Sequence, residues 1–172
     1  LRSEEYTLTG RGTSTGRTEV VLEEFLDAIK LVKPRPYLVL RLHPKNTLED
    51  FGAYRDEFDL VSSGGLALEL VYAADLVVGM TTILLMEAAW LDRATLSIVP
   101  RAVEAEWLPG VRMGMTPCVT TRGELRSTLE EILGDTSKGR QASHRDVMVP
   151  GSLERTAEFI EKLLTETSER RS

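Results

Sequence analysis

The chain is poor in the residues that most often announce chemistry. It has 172 residues and a single cysteine, Cys118. One thiol excludes an internal disulfide and any zinc site built from several cysteines, and it suits a reducing, cytoplasmic setting. Histidine is nearly as scarce, with only His43 and His144. No His/Asp/Cys cluster has ligand spacing, so no metal is expected. Positive charge is outweighed: 21 Lys and Arg stand against 27 Asp and Glu, a net charge of −6. No broad basic footprint for nucleic acid follows from that balance. No apolar run approaches the ~20 residues of a membrane span. Leu1 to Gly10 is polar, carries Glu4 and Glu5, and does not read as a secretory signal. There is no GxSxG elbow for a Ser-His-Asp hydrolase and no internal repeat.

What is present is an alternation of short apolar runs and helical patterns. The length suggests one domain with a real core: residues 1–164 as a single α/β unit, with 165–172 as a flexible tail. Tyr6 to Thr9 reads as a weak strand, followed by the glycine-rich loop Gly10 to Gly16. Thr18 can cap a helix from Glu19 to about Val32, in which Val21, Phe25, Ile29 and Val32 share a face. Pro34 and Pro36 end it. Tyr37 to Leu42 reads as a central strand, Leu48 to Tyr54 as a short helix, Phe58 to Val61 as a strand and Leu66 to Ala73 as a helix. Then come a strand at Leu76 to Gly79, a helix at Ile83 to Leu91 and a strand at Thr95 to Val99. Arg101 to Thr116 reads as a loop with an exposed Trp107, Cys118-Val119 as a last short strand, and Thr121 to Leu133 as a helix opened by a capping box. Gly134 to Val149 is polar and includes His144, read as a surface residue. A final amphipathic helix is expected from Leu153 to about Glu166, with Ala157, Ile160, Leu163 and Leu164 on its apolar face. Apolar strands alternating with helices are the mark of a parallel sheet covered on both faces. The expected fold is a doubly wound, Rossmann-like α/β domain with a mostly parallel sheet of about five or six strands.

Ligands of such sheets bind at the carboxyl ends of the strands. Four candidate segments follow strands and so lie along that edge: Gly10 to Gly16, His43 to Asn46, Ser62 to Gly65, and Gly79 to Thr82. The most informative is the last. Met80, Thr81 and Thr82 precede an almost wholly apolar helix, where free N–H groups favour phosphate. That helix carries one charge, Glu87, which needs a partner if it is buried. Phosphates on Thr81 and Thr82 with ribose hydroxyls on Glu87 would fit a nucleotide. Alternatively Thr82 is simply the helix cap and Glu87 pairs with a structural cation. Gly10, Gly12 and Ser14 lie in a GxGxxxG loop whose amides can approach phosphate. That spacing is neither the dinucleotide fingerprint nor a Walker motif, and a plain turn is equally compatible. His43, held by Pro44 and flanked by Arg41 and Lys45, can serve phosphate binding or acid–base chemistry; the other reading is a turn histidine bonded to backbone. Ser63 and Gly65 can line a base pocket or form an ordinary turn. Met113, Met115 and Trp107 can form a flap over a ligand, or merely pack.

The order glycine loop, strand-His43-Pro44, Ser/Gly turn, Asp75-Leu-Val-Val-Gly-Met-Thr81-Thr82 and Glu87-Ala-Ala-Trp-Leu-Asp-Arg-Ala-Thr-Leu-Ser97 resembles the C-terminal half of GT-B glycosyltransferases. Glu87 to Ser97 is similar to that family's E-A-x-x-x-G-x-P-x-L-S segment, except that Asp92 or Arg93 stands where Gly is usual and Ala94 replaces Pro. The His-Pro with a hydroxyl pair is similar to bacterial polysialyl-, sialyl- and glycerophosphate-type transferases, and UDP-N-acetylglucosamine 2-epimerases share the fold. The resemblance spans roughly Tyr6 to Pro100. It implies a bacterial nucleotide-sugar donor domain for surface or capsular polysaccharide synthesis. The donor would be of UDP or CMP/CDP type, with Thr81 and Thr82 on the diphosphate, Glu87 on the ribose, and His43, as a catalytic residue, with Lys45 on phosphate charge. It also implies electrostatic rather than metal-assisted departure of the leaving group. An N-terminal acceptor domain or a separate acceptor-binding subunit would then be needed, and the isolated chain would turn over poorly. Peripheral membrane association of the full protein is compatible with that picture. The first residue is Leu rather than Met, which fits a piece of a longer protein. A UDP-sugar epimerase-like domain and a non-catalytic nucleotide- or partner-binding domain are the alternatives.

Overall fold

A computed structural model describes residues 6–14, 16–134 and 151–169. The chain is α/β, and every strand pairing in it is parallel. It runs α1 (Arg17–Ile29), β1 (Val39–Arg41), a 3-10 helix (Glu49–Glu57), β2 (Leu60–Ser62), α2 (Ala67–Ala73), β3 (Leu76–Gly79), α3 (Leu84–Trp90) and β4 (Ala94–Ile98). A second 3-10 helix (Ala102–Trp107), α4 (Pro109–Arg112), β5 (Cys118–Val119), α5 (Arg122–Gly134) and α6 (Ser152–Glu169) follow.

Instead of one sheet there are two, β1–β2 and β3–β4–β5. In the second, β4 is central, with Val78 opposite Leu96 on one side and Ser97 opposite Cys118 on the other. All five β4 residues are buried. Side chains of a strand point alternately to opposite faces, and β3 shows this directly. Leu76 and Val78 pack with α1 and α5 around Val20, Leu96, Leu125 and Leu129, while Val77 packs with Leu85, Met86 and Leu108 on the other side. The three-stranded sheet is therefore covered on both faces. The expected central strand at Tyr37 to Leu42 shortens to β1, half-buried along its length and paired only with β2. Apolar content marks a strand that will pack, but it does not name the neighbour it will pair with.

Other boundaries move for local reasons. Thr18 lies inside α1, and Gly16 occupies the cap position without a side-chain bond. The Val21, Ile29 and Val32 face is buried as expected, but the helix stops at Ile29 and continues as a turn. Tyr6 to Thr9 forms no strand. The Thr7 amide donates to Pro100 O at 2.6 Å, and the Thr7 hydroxyl reaches Pro100 O and Thr120 O. Proline has no N–H to return a ladder bond. The expected loop at Arg101 to Thr116 is ordered by the 3-10 helix and α4, with Leu108 and Met115 fully buried. Proline is pre-organised for a helix start, and Pro109 opens α4. A Cβ on Gly110 would sit 2.8 Å from Met86 Cγ, so only glycine allows this approach. Among the described side chains of α6, Leu153, Phe159 and Ile160 are exposed. His144 and most of the polar stretch before α6 lie outside the described residues. Among the described residues no helix is long and apolar enough to cross a membrane.

Candidate functional site

The site is built at the carboxyl end of β3. Ser97, one strand over, donates from Oγ to Met80 O at 2.6 Å and fixes the turn that follows Gly79. Thr82 folds back over Gly79, where a Cβ would stand 2.9 Å from its methyl group. Thr82 Oγ1 accepts from the Leu84 amide at 3.3 Å within the turn before α3 and remains exposed; the cap position of α3 is Ile83, not Thr82. Thr81 is half-buried, and its hydroxyl faces Arg17 Nη2 at 3.4 Å.

Arg17 was not marked by the sequence. It is the first residue of α1, and its Nε donates to Glu104 Oε2 at 2.6 Å across 87 residues of sequence. Arg101 Nε donates to the other oxygen, Glu104 Oε1, at 2.5 Å. Glu104 is completely buried, an arrangement an acid tolerates only with such charged partners. Trp107, 53% exposed, closes the group: the Arg17 and Arg101 guanidinium carbons lie 5.7 and 5.6 Å from its ring centroid. Arg101 also stands over Tyr6. Trp107 packs beside Arg17 and Arg101, Met113 is exposed, and Met115 is core.

Glu87 sits one turn into α3. It is half-buried, and its carboxylate makes no hydrogen bond or ion pair among the described residues. No cation among the described residues pairs with this acid.

The glycine loop is occupied by the protein's own acids. The amides of Thr9 and Gly10 donate to Glu24 Oε1 at 3.2 and 2.9 Å, and the Arg11 amide donates to Glu23 Oε2 at 2.7 Å. Ser14 Oγ and Tyr54 OH both donate to Glu23 Oε1. Burial pushes the Glu23 carboxyl up, but the Arg11 amide, Tyr54 and Ser14 outweigh it and hold the group below its ordinary value. Glu24 is likewise held low: burial opposes, and Arg122 with the loop amides prevails. Gly10 has φ +59°, and a Cβ there would collide with Glu23 Oε2. The loop does cradle anionic oxygens, but those of buried α1 glutamates. Gly12 is exposed at φ +80°.

The other candidates lie on the β1–β2 sheet. His43 is exposed, and its Nδ1 accepts from the Lys45 amide at 3.2 Å, the bond of a turn histidine. Lys45 is exposed too. Arg41 does not converge with them. Its guanidinium donates to Ser62 Oγ and Gly65 O, each at 2.9 Å, and secures the β2–α2 turn that holds the exposed Ser63 and Gly65. Among the described residues, no hydrogen bond or ion pair joins His43 or Lys45 to the Gly79–Thr82 turn.

A cleft of about 420 Å³ opens elsewhere, off the amino end of β1, between Arg11, Lys30, Arg35, Leu38, Asp56 and Glu57. Its cations are committed: Arg11 pairs with Asp27 and Glu57, Lys30 with Glu57, and Arg35 with Asp59. Arg11, foremost, holds the Glu57 carboxyl down to about 2. This network is at the wrong end of the strands for a parallel-sheet ligand site. Burial pushes the Cys118 thiol up, which leaves it a poor nucleophile. Among the described residues no group of three or more His, Cys, Asp or Glu could hold a metal ion.

The structure thus gathers Met80, Thr81 and Thr82 with Arg17, Glu104, Arg101 and Trp107, and keeps Glu87 one turn away. It sets His43, Lys45, Ser63 and Gly65 on the other sheet. No protein-family model, curated protein or solved structure matches this chain.

Proposed function

We propose that this chain is the nucleotide-sugar donor-binding domain of a GT-B-type glycosyltransferase, with the nucleotide held at the carboxyl end of β3. The observation that carries the reading is Glu87: a half-buried acid without a partner among the described residues, one turn beyond a hydroxyl-bearing turn. A desolvated carboxylate with free acceptor sites is costly unless a ligand supplies donors, and vicinal ribose hydroxyls are such donors. The parallel arrangement of every paired strand supports the location, since ligands of these sheets lie beyond the strand ends. The residue pattern from Asp75 to Ser97 supports the family, and the family's two-domain plan makes an acceptor-binding domain or subunit a necessary partner for turnover. The bacterial surface-polysaccharide pathway, the cytoplasmic setting and the metal-free departure of the leaving group are parts of the same proposal.

The test is a thermal-shift panel with UDP, CDP, CMP, GDP, dTDP and ADP on the intact chain. Ligand at 100 times its Kd adds about 2.7 kcal/mol to stability. A selective rise with one nucleotide supports the proposal and names the base. Glu87→Gln should then weaken that nucleotide about tenfold, the loss of one charge-assisted hydrogen bond. Unchanged affinity in a folded variant removes Glu87 from the site. No rise with any nucleotide favours a partner-binding α/β domain without nucleotide chemistry.

A further inference from the structure

Arg17 is held from one side and open on the other. Its Nε edge is locked onto the fully buried Glu104 at 2.6 Å. Nη2 shares that carboxylate, 2.5 Å from Glu104 Oε2, and its other neighbour, Thr81 Oγ1, is 3.4 Å away, while Nη1 faces only the Met80 thioether at 3.8 Å. Thioether sulfur is a poor acceptor, and a guanidinium has five donors in a planar fork. An anion placed at the tip of the fork would replace the weak contacts of Nη1 and of the second Nη2 hydrogen with charge-assisted ones, while Nε and Nη2 stay on Glu104. The side chain is 29% exposed, so solvent and solutes reach it. Its rotamer is already fixed by Glu104 and by the Trp107 ring, which lowers the entropy cost of recognition.

We infer that Arg17 and Thr81 form the phosphate subsite of this domain, with Glu104 and Trp107 as the groups that position Arg17. The inference rests on the reading of the β3 turn as a nucleotide site, and it moves the cationic partner of the phosphates away from His43 and Lys45. The ligand class is a phosphorylated one, a nucleoside diphosphate or its sugar conjugate, rather than a free nucleoside or a neutral sugar.

The probe is inorganic pyrophosphate, titrated calorimetrically into the intact chain. Wild type should bind it, and Arg17→Lys, which keeps the charge but loses the fork, should bind at least about tenfold more weakly. Nucleoside affinity should stay within about twofold, because the nucleoside makes no contact with the fork. Since Arg17→Lys disturbs the Glu104 pair, its melting curve is checked first. Independently of any variant, ¹⁵N spectra of wild type should show pyrophosphate shifting the Arg17 Nε–H and the Trp107 indole N–H. Equal pyrophosphate affinity in folded Arg17→Lys, absence of pyrophosphate binding to wild type, or loss of binding in Lys45→Ala instead would each overturn the subsite. The broader reading fails separately: pyrophosphate bound through Arg17, with no nucleotide preferred over it, leaves the anion subsite standing and removes the nucleotide.

Discussion

The two sheets are built from similar short strands yet differ in depth. β4 buries all five residues between α1 with α5 on one face and α3 with α4 on the other, whereas β1 is half-buried and Leu60 of β2 is 46% exposed. The candidate residues follow the same division. Around β3 the polar groups interlock across long sequence separations, as in Arg17–Glu104, and one acid, Glu87, has no partner among the described residues. Around β1 and β2 the polar groups satisfy themselves within the turns: His43 with the Lys45 amide, Arg41 with Ser62 and Gly65. A site needs groups that are both fixed and unsatisfied. The deep sheet has these; the shallow sheet offers His43 and Lys45, which are exposed and held by their own turn.

The sharpest test of this contrast is Glu104→Ala. It removes the fully buried carboxylate that Arg17 and Arg101 share, so a loss of about 3–5 kcal/mol in urea unfolding is expected. A loss near zero would mean that the cluster does not order the loop above β3. Next is the strand pair. Leu96→Ala, at 0% exposure in β4, should cost about 2–5 kcal/mol, while Leu60→Ala on the edge of β2 should stay within about 0.5 kcal/mol. Equal costs would erase the distinction between the sheets.

An acid titration sharpens it further. The Glu57 carboxyl is held at about 2 in the fold against an ordinary 4.5, chiefly by Arg11. Its folded value is depressed, so its stabilisation is complete above pH 4.5 and is lost as pH falls toward 2, because the unfolded chain takes up the proton first. Glu57→Gln should flatten that part of the stability curve by on the order of 1 kcal/mol, allowing for the partial exposure of Arg11. The smallest effect belongs to His43→Ala, which should change stability by less than about 0.5 kcal/mol, since an exposed turn histidine supports little beyond its own loop. If His43→Ala also weakens the diphosphate found in the panel more than the parent nucleoside, the shallow sheet contributes to the site after all.

Much of this was legible in the chain. The alternation of apolar runs and helical patterns placed β1, β2, β3, β4, β5 and the helices α1, α2, α3, α5 and α6 near their observed positions, because periodicity and turn residues act locally. Thr81, Thr82 and Glu87 were legible for the same reason: a turn and an acid on one short helix are near neighbours in sequence. The partners of the glycine loop were not. Glu23 and Glu24 lie on a helix whose apolar spacing says only which face is inside, and nothing local says that two acids turn inward to receive backbone amides. The order in Arg101 to Thr116 was not legible because its proline and glycines read as a loop and nothing local distinguishes Glu104 from Glu106 as the acid around which it closes.

The sequence by itself determined that the chain is α/β with parallel pairing, and that hydroxyls and an acid stand just beyond β3, since these depend on the chemistry of adjacent residues. Tertiary structure alone decided that the strands divide into two sheets, that the glycine loop is filled by Glu23 and Glu24, and that Arg17 meets Glu104, Thr81 and Trp107. Those outcomes depend on which distant groups share a desolvated space, where an unpaired charge costs most and a partner is therefore selected from anywhere in the chain.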